Sequence, residues 1–224
     1  MKLTFLGHSA VLLEHDGHRV LVDPFLTGNP KAAVAADAVD ADVIVLTHAH
    51  GDHVGDAVDI AKRTGAVVVS NVEIVGRLAR EGIETIGANT GGRVALPFGA
   101  VTFTPAWHSS SFGDGGYGGL AMGAVLEFGG RRVYHAGDTA LFGDMALIAR
   151  GGLDLALLPI GDHYTMGPAD ALEAVKLLRP TRVVPIHHGT FPLIEQDAGA
   201  FRDAVQAATD AMVDALTPGE AIEF

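Results

Sequence analysis

The densest chemistry in the chain is the run Thr47-His48-Ala49-His50-Gly51-Asp52-His53, which puts three imidazoles and a carboxylate into six residues. Imidazole nitrogens and carboxylate oxygens ligate divalent metals, and this spacing lets one short segment reach two ions, which a pair at (i, i+4) on one helix would not do as readily. Where a strand ends and the chain turns, His48 and His50 project to one side, while Asp52 and His53 open the next helix and swing toward a neighbouring point. Gly51 permits the tight turn between the pairs. At this chain's own His and Asp frequencies, a His-x-His-x-Asp-His run arises by chance on the order of once in 500 such chains.

Two to four ligands do not close a site, so others must come from further strand ends. His108 follows a predicted strand ending at Ala106 and opens a glycine-rich loop. Asp138, in His135-Ala136-Gly137-Asp138-Thr139, lies just past a strand over Arg131–Tyr134, where its carboxylate is able to bridge two cations. His187 follows Val183-Val184-Pro185-Ile186. Ligands in layered α/β folds gather where loops leave the strands, and these three positions share that placement.

Composition narrows the chemistry further. The chain has 224 residues and no cysteine, which removes disulfides, thiolate nucleophiles and sulfur-ligated zinc or iron–sulfur sites. Any metal must be held by nitrogen and oxygen. Fifteen Lys+Arg against 27 Asp+Glu give a formal charge of −12, which opposes binding to nucleic acid or anionic membranes. With 48% hydrophobic and 19% charged residues, one domain over residues 1–224 with a substantial core is expected. The apolar run Leu3–Leu6 is too short for a secretion signal, and no segment approaches the ~20 apolar residues that span a bilayer, so a cytoplasmic protein is expected.

The elements that must position these groups alternate along the chain. Strands are expected over Lys2–Leu6, Ala10–Glu14 and His18–Val22, the last two forming a hairpin, and over Asp42–Leu46, which is apolar on both parities and so buried on both faces. A helix over Val54–Arg63, a strand over Ala66–Ser70, a helix over Val72–Arg80 and a strand over Ile83–Ile86 follow. Further strands are expected near Val94–Leu96, Ala100–Pro105, Gly119–Phe128 and Arg131–His135, with Ser109–Gly119 a long irregular loop. Helix Asp144–Arg150, strand Leu153–Leu158, helix Pro168–Leu178, strand Arg182–Ile186 and helix Ala200–Leu216 complete the pattern. The last helix would align Phe201, Val205, Ala208, Met212 and Ala215 on one face.

Beyond the histidine run, the chain carries Gly7-His8-Ser9, Val22-Asp23-Pro24-Phe25, Gly137-Asp138-Thr139, Leu158-Pro159-Ile160-Gly161-Asp162, Thr165-Met166-Gly167-Pro168, and Pro185-Ile186-His187 with Thr190-Phe191-Pro192. With these motifs it resembles the metallo-β-lactamase superfamily, and within it a family of small metal-dependent hydrolases related to ascorbate-6-phosphate lactonase. The resemblance covers essentially the whole chain. It implies an α/β fold, a four-layer αβ/βα sandwich of two mixed sheets with helices outside and the metal site at one rim.

Carried over residue by residue, the resemblance implies that His48, His50 and His108 hold one metal, Asp52, His53 and His187 a second, and Asp138 bridges them. Asp23 would orient a ligand. Asp52 would also take a proton from the nucleophile, and His8 or His163 would donate one to the leaving group. Ser109 and His188 are candidate substrate contacts. Two divalent ions are implied; zinc suits both sites, and the oxygen-rich second site leaves room for manganese or iron. Secreted β-lactamases with a comparable site carry cysteine where Asp138 stands and carry signal peptides, which argues against antibiotic hydrolysis. The expected activity is hydrolysis of a small ester, lactone or phosphoester by metal-activated water, the substrate being the principal partner. An iron-dependent oxidoreductase on the same scaffold and a non-catalytic metal-binding protein are the alternatives; homo-oligomerisation is left open.

Overall fold

The computed structural model describes residues 1–224. Fourteen strands form two seven-stranded sheets. The first contains β1 (Lys2–Gly7), β2 (Ala10–His15), β3 (His18–Val22), β4 (Val43–Val45), β5 (Val67–Asn71) and β6 (Thr85–Ala88); the second contains β7 (Arg93–Leu96), β8 (Gly99–Pro105), β9 (Met122–Phe128), β10 (Arg131–His135), β11 (Leu155–Pro159), β12 (Arg182–Ile186) and β13 (Met212–Val213). The C-terminal β14 (Ala221–Glu223) returns to the free edge of β1. The helices are α1 (Gly51–Val54), α2 (Ala57–Thr64), α3 (Val72–Leu78), α4 (Met145–Ile148), α5 (Pro168–Leu178) and α6 (Ala198–Ala208).

Side-chain alternation explains the layering. Val43 and Val45 face the second sheet, in a core with Phe5, Phe103, Met122, Leu157 and Ile186, whereas Ile44 and Leu46 face Ile60 of α2 and Ile74 of α3. On the other outer face, Tyr134, Leu158 and Val183 pack against Val175 of α5 and Phe201 of α6. Helix, sheet, sheet and helix stack in that order. β1, β3 and β4 run in one direction, as do β8, β10, β11 and β12, so the loops after them emerge at the two sheets' C-terminal rims.

Four sequence expectations change. The helix expected over Ala200–Leu216 stops at Ala208: the Thr209 hydroxyl donates to the Val205 carbonyl at 3.0 Å and accepts from the Ala211 N–H at 3.3 Å, and Met212 then pairs with Arg182 as an edge strand. Phe201 and Val205 are buried as expected, but Met212 is exposed. The strand expected from Gly119 starts only at Met122, because the Asn71 side-chain amide donates to the carbonyls of Gly118 and Leu120 while its oxygen caps α3. The irregular loop is a folded tongue: Ser111 bridges to Tyr117, Phe112 is buried, and Arg77 of α3 lies over the Phe112 ring while making a bidentate pair with Asp114.

The fourth change is a break in the helix expected over Val54–Arg63. It splits at Gly55-Asp56 into α1 and α2, because the loop after β3 docks there: Asp56 accepts from the backbone N–H groups of Leu26 and Thr27, and its own N–H donates to Pro24. Gly55 has φ +42°, and a Cβ there would stand 2.3 Å from the Pro24 carbonyl oxygen and 2.7 Å from Phe25 Cα. Gly55→Ala should therefore cost ~2–4 kcal/mol in denaturant unfolding, combining backbone strain with overpacking; a loss below ~1 kcal/mol would show that the Pro24–Phe25 loop yields freely.

Candidate metal centre

The loops at this common rim bring the sequence-predicted groups together. His8 follows β1, Asp23 follows β3, His48–His53 follow β4 and open α1, His108 follows β8, Asp138 follows β10 and His187 follows β12. Three of these residues, His8 (φ +59°), Asp23 (φ +45°) and His187 (φ +53°), occupy the left-handed region, which few non-glycine residues adopt, Asn, Asp and His more often than others. The His187 N–H donates to the His8 carbonyl at 2.7 Å, locking a loop of one sheet to a loop of the other. Gly137, at φ +61°, brings the backbone before Asp138 close to Thr47 and the Met122 carbonyl.

The centre of the cluster is the buried carboxylate of Asp138. Its oxygens lie 3.1 Å from His187 Nε2, 3.3 Å from His53 Nε2, 3.6 Å from His108 Nε2 and 3.9 Å from His48 Nε2. On one side, His48, His50 and His108 bring ligating atoms within 4.8 Å of one another; on the other, His8, Asp52, His53 and His187 do the same, and His48, His53 and Asp138 form a third such set between them. Buried His53 Nε2 and Asp138 Oδ1 have no hydrogen-bond partner, although they face each other. Two lone-pair-bearing atoms in that relation fit a shared cation, so the donor set suits divalent metal.

Hydrogen bonds behind the cluster set which nitrogen is free. Thr47 donates its hydroxyl proton to Asp23 at 2.6 Å and so accepts from His48 Nδ1–H at 3.0 Å. His53 Nδ1–H donates to Asp23 at 2.7 Å. Both rings then present Nε2 inward, the arrangement in which a carboxylate or hydroxyl fixes a ligand's tautomer. Asp23, fully buried, also accepts the Thr47 N–H and thereby holds the start of the histidine run.

Electrostatics follow the same geometry. Burial pulls His48 well below the ordinary imidazole value, with His53 adding to the effect. Burial also opposes charge on His53 and His187, but Asp138 overcomes it at both, with Asp23 contributing at His53 and Asp52 at His187; His53 is driven well up and His187 to about 9. Burial acts to raise Asp138 and Asp52, yet the surrounding imidazoles keep both carboxyls well below the usual carboxylate range.

Of the other predicted residues, Ser109 is exposed, with its hydroxyl 3.4 Å from His50 Nε2. His188 is half-buried and pushed down by desolvation. His163 is exposed and packs edge-on against Tyr164; no hydrogen bond or ring contact joins its side chain to the cluster. Several contributing groups escaped sequence reasoning. Ser110 accepts from the Ala49 N–H and donates to Gly118, fastening the tongue to the histidine run. Buried His135 donates from Nε2 to the Ser9 carbonyl and accepts from the Gly137 N–H, connecting the turn of His8 to the turn of Asp138. Its place at the end of a predicted strand was the available signal.

Known proteins resemble this chain over its full length. Residues 18–188 match the model of the β-lactamase superfamily domain. The UPF0173 metal-dependent hydrolase TTHA1283 of Thermus thermophilus is 55% identical over 226 residues, covering 100% of this chain and 99% of that protein. The UPF0173 metal-dependent hydrolase of Pelotomaculum thermopropionicum is 51% identical over 229 residues, covering 100% of both chains. The chain belongs to the β-lactamase superfamily. Among solved structures, Igni18, a metallo hydrolase from the archaeon Ignicoccus hospitalis, superposes with a TM-score of 0.91 at 44% identity, covering 100% of this chain and 98% of that one. This superfamily member is a metal-dependent hydrolase, as its UPF0173 relatives are described. No helix is long and apolar enough to cross a membrane.

A metal ion bound at these nitrogens would compete with protons for them. The folded pKa of His187, about 9, exceeds the ordinary value of 6.5. The stabilisation of the metal-free fold by protonated His187 is therefore fully present below about pH 6.5 and lost as pH rises through about 9, on the order of 3 kcal/mol. Urea unfolding of chelator-treated protein between pH 6 and 9.5 should show this loss, while metal affinity rises over the same range because the nitrogen must be unprotonated to ligate. Flat metal-free stability would contradict the assignment of charge at His187.

Proposed function

We propose that the chain hydrolyses a small ester, lactone or phosphoester with two divalent ions held side by side, His48, His50 and His108 on one, Asp52, His53 and His187 on the other, and Asp138 between. The observation that carries the reading is the ring of imidazole nitrogens converging on one buried carboxylate from the loops of both sheets. When bound, ions there would acidify a water toward neutral pH and polarise a carbonyl or phosphoryl oxygen. Zinc suits the nitrogen-rich side; the side with two carboxylates also suits manganese or iron.

The chain's own residues supply the remainder. Asp23 and the Thr47 hydroxyl hold His53 and His48 in one tautomer, so little reorganisation accompanies reaction. Asp52 is the partly exposed carboxylate of the centre, and that exposure is what places it to pass a proton from the attacking water to solvent. Trp107, next to His108 in the chain, and Phe191, whose ring lies 5.8 Å from that of His8, stand exposed on loops. Trp107 also walls an open cavity of about 440 Å³ with Ala140, Leu141 and Phe142, giving an apolar flank for a substrate beside His108.

His50→Ala should remove metal from the first site and lower kcat/KM by ~100-fold or more on whichever of a lactone, aryl ester and phosphodiester panel the wild type turns over. Elemental analysis alongside the assay is the check. A variant that keeps both its metal and its turnover would sink the reading, and a native iron content with oxygen-dependent turnover would replace it with oxidoreduction.

A further inference from the structure

His8 lies outside the six paired ligands and the bridging carboxylate assigned above, yet its imidazole is fully buried inside the cluster. Its Nδ1 lies 2.9 Å from Thr190 Oγ1, and the Thr190 hydroxyl directs its own proton to the His188 carbonyl at 3.5 Å. With Thr190 accepting from His8 Nδ1–H, the lone pair of His8 would lie on Nε2. That nitrogen faces Asp52 Oδ2 at 3.2 Å. In that tautomer the two atoms fit a shared metal cation, whereas in the other Nε2–H donates to Asp52 and His8 ligates nothing.

The surroundings point the same way. The His8 ring packs against His187 with centroids 4.2 Å apart and against His53 at 5.7 Å, so three imidazoles converge beside Asp52. The ligating atoms of His8, Asp52, His53 and His187 lie within 4.8 Å of one another. His8 also repeats the arrangement of His48 and His53, with Nδ1 turned back to a hydroxyl or carboxylate and Nε2 turned inward. Its left-handed backbone, tied through its carbonyl to the His187 N–H, is the strained kind of conformation found where geometry is needed for function.

We infer that His8 is itself a ligand of the second metal ion, through Nε2, alongside Asp52, His53 and His187. The inference rests on the two-metal reading and deepens it: with Asp138 bridging, the second site has more protein donors than a tetrahedral zinc site accepts. It should then favour a metal that takes five or six ligands, such as manganese, iron or cobalt, while the first site remains suited to zinc.

The test uses the full chain, stripped of metal and reloaded. In wild type labelled with nitrogen-15 histidine and loaded with spin-active cadmium, His8 Nε2 should show scalar coupling to the metal, which requires a direct bond. His8→Ala should weaken one of the two metal equivalents by more than the ~10–100-fold typical of losing a residue that only orients a ligand, and leave the other unchanged. The proposal is overturned if His8 Nε2 carries a proton in the loaded protein, or if His8→Ala binds both equivalents with wild-type affinity. The two readings fail separately: a wild type that binds a single ion ends the two-metal account, while the coupling at His8 still decides whether His8 ligates.

Discussion

The structure depends on keeping one carboxylate charged where water scarcely reaches it. Asp138 is 2% exposed, and no backbone donor or basic Lys or Arg side chain pairs with it; the groups around it are imidazoles. A buried anion is tolerated only with opposite charge at hand, whether protons on the neighbouring imidazoles or metal ions between them and the carboxylate. The perturbed titrations of His53, His187, Asp52 and Asp138 all express that requirement. Metal binding exchanges protons for a stronger and geometrically fixed charge, so the centre is built to bind cations before any substrate arrives.

The fold meets this requirement by bringing two sheets together at their loops. His48–His53 come from the first sheet, and His108, Asp138 and His187 from the second; the valine, leucine and phenylalanine core between the sheets holds the two sets in register. Backbone features that are unfavourable alone then persist because packing determines them: the left-handed turns at His8, Asp23 and His187, and the Gly55 break where the Pro24–Thr27 loop docks. Asp23 links the two levels, holding the chain at Thr47 while orienting the ring of His53.

The clustering of His48–His53 was legible in sequence because metal chemistry concentrates rare residue types at short spacing, and the strands behind it because their apolar parity shows through. What local pattern did not show were the decisions made by distant partners. The chain between Ala200 and Leu216 has helical periodicity, but edge pairing with β12 takes the segment from Met212. The helix beginning at Val54 is interrupted because Asp56 is occupied by the backbone of Leu26 and Thr27. The polar supports Thr47, Ser110, His135 and Thr190 are common residue types whose importance arises only once loops from both sheets meet. His163 shows the converse: its position beside a shared motif is visible in the sequence, whereas the exposure of its side chain is not.

The most direct test of the account is to locate the metal by anomalous X-ray scattering from crystals of the metal-loaded protein. The account predicts two ions flanking the Asp138 carboxylate, on the order of 3.5–4 Å apart, one on the His48, His50 and His108 side and one on the Asp52, His53 and His187 side. A single ion, or a pair in which Asp138 touches neither, would contradict it.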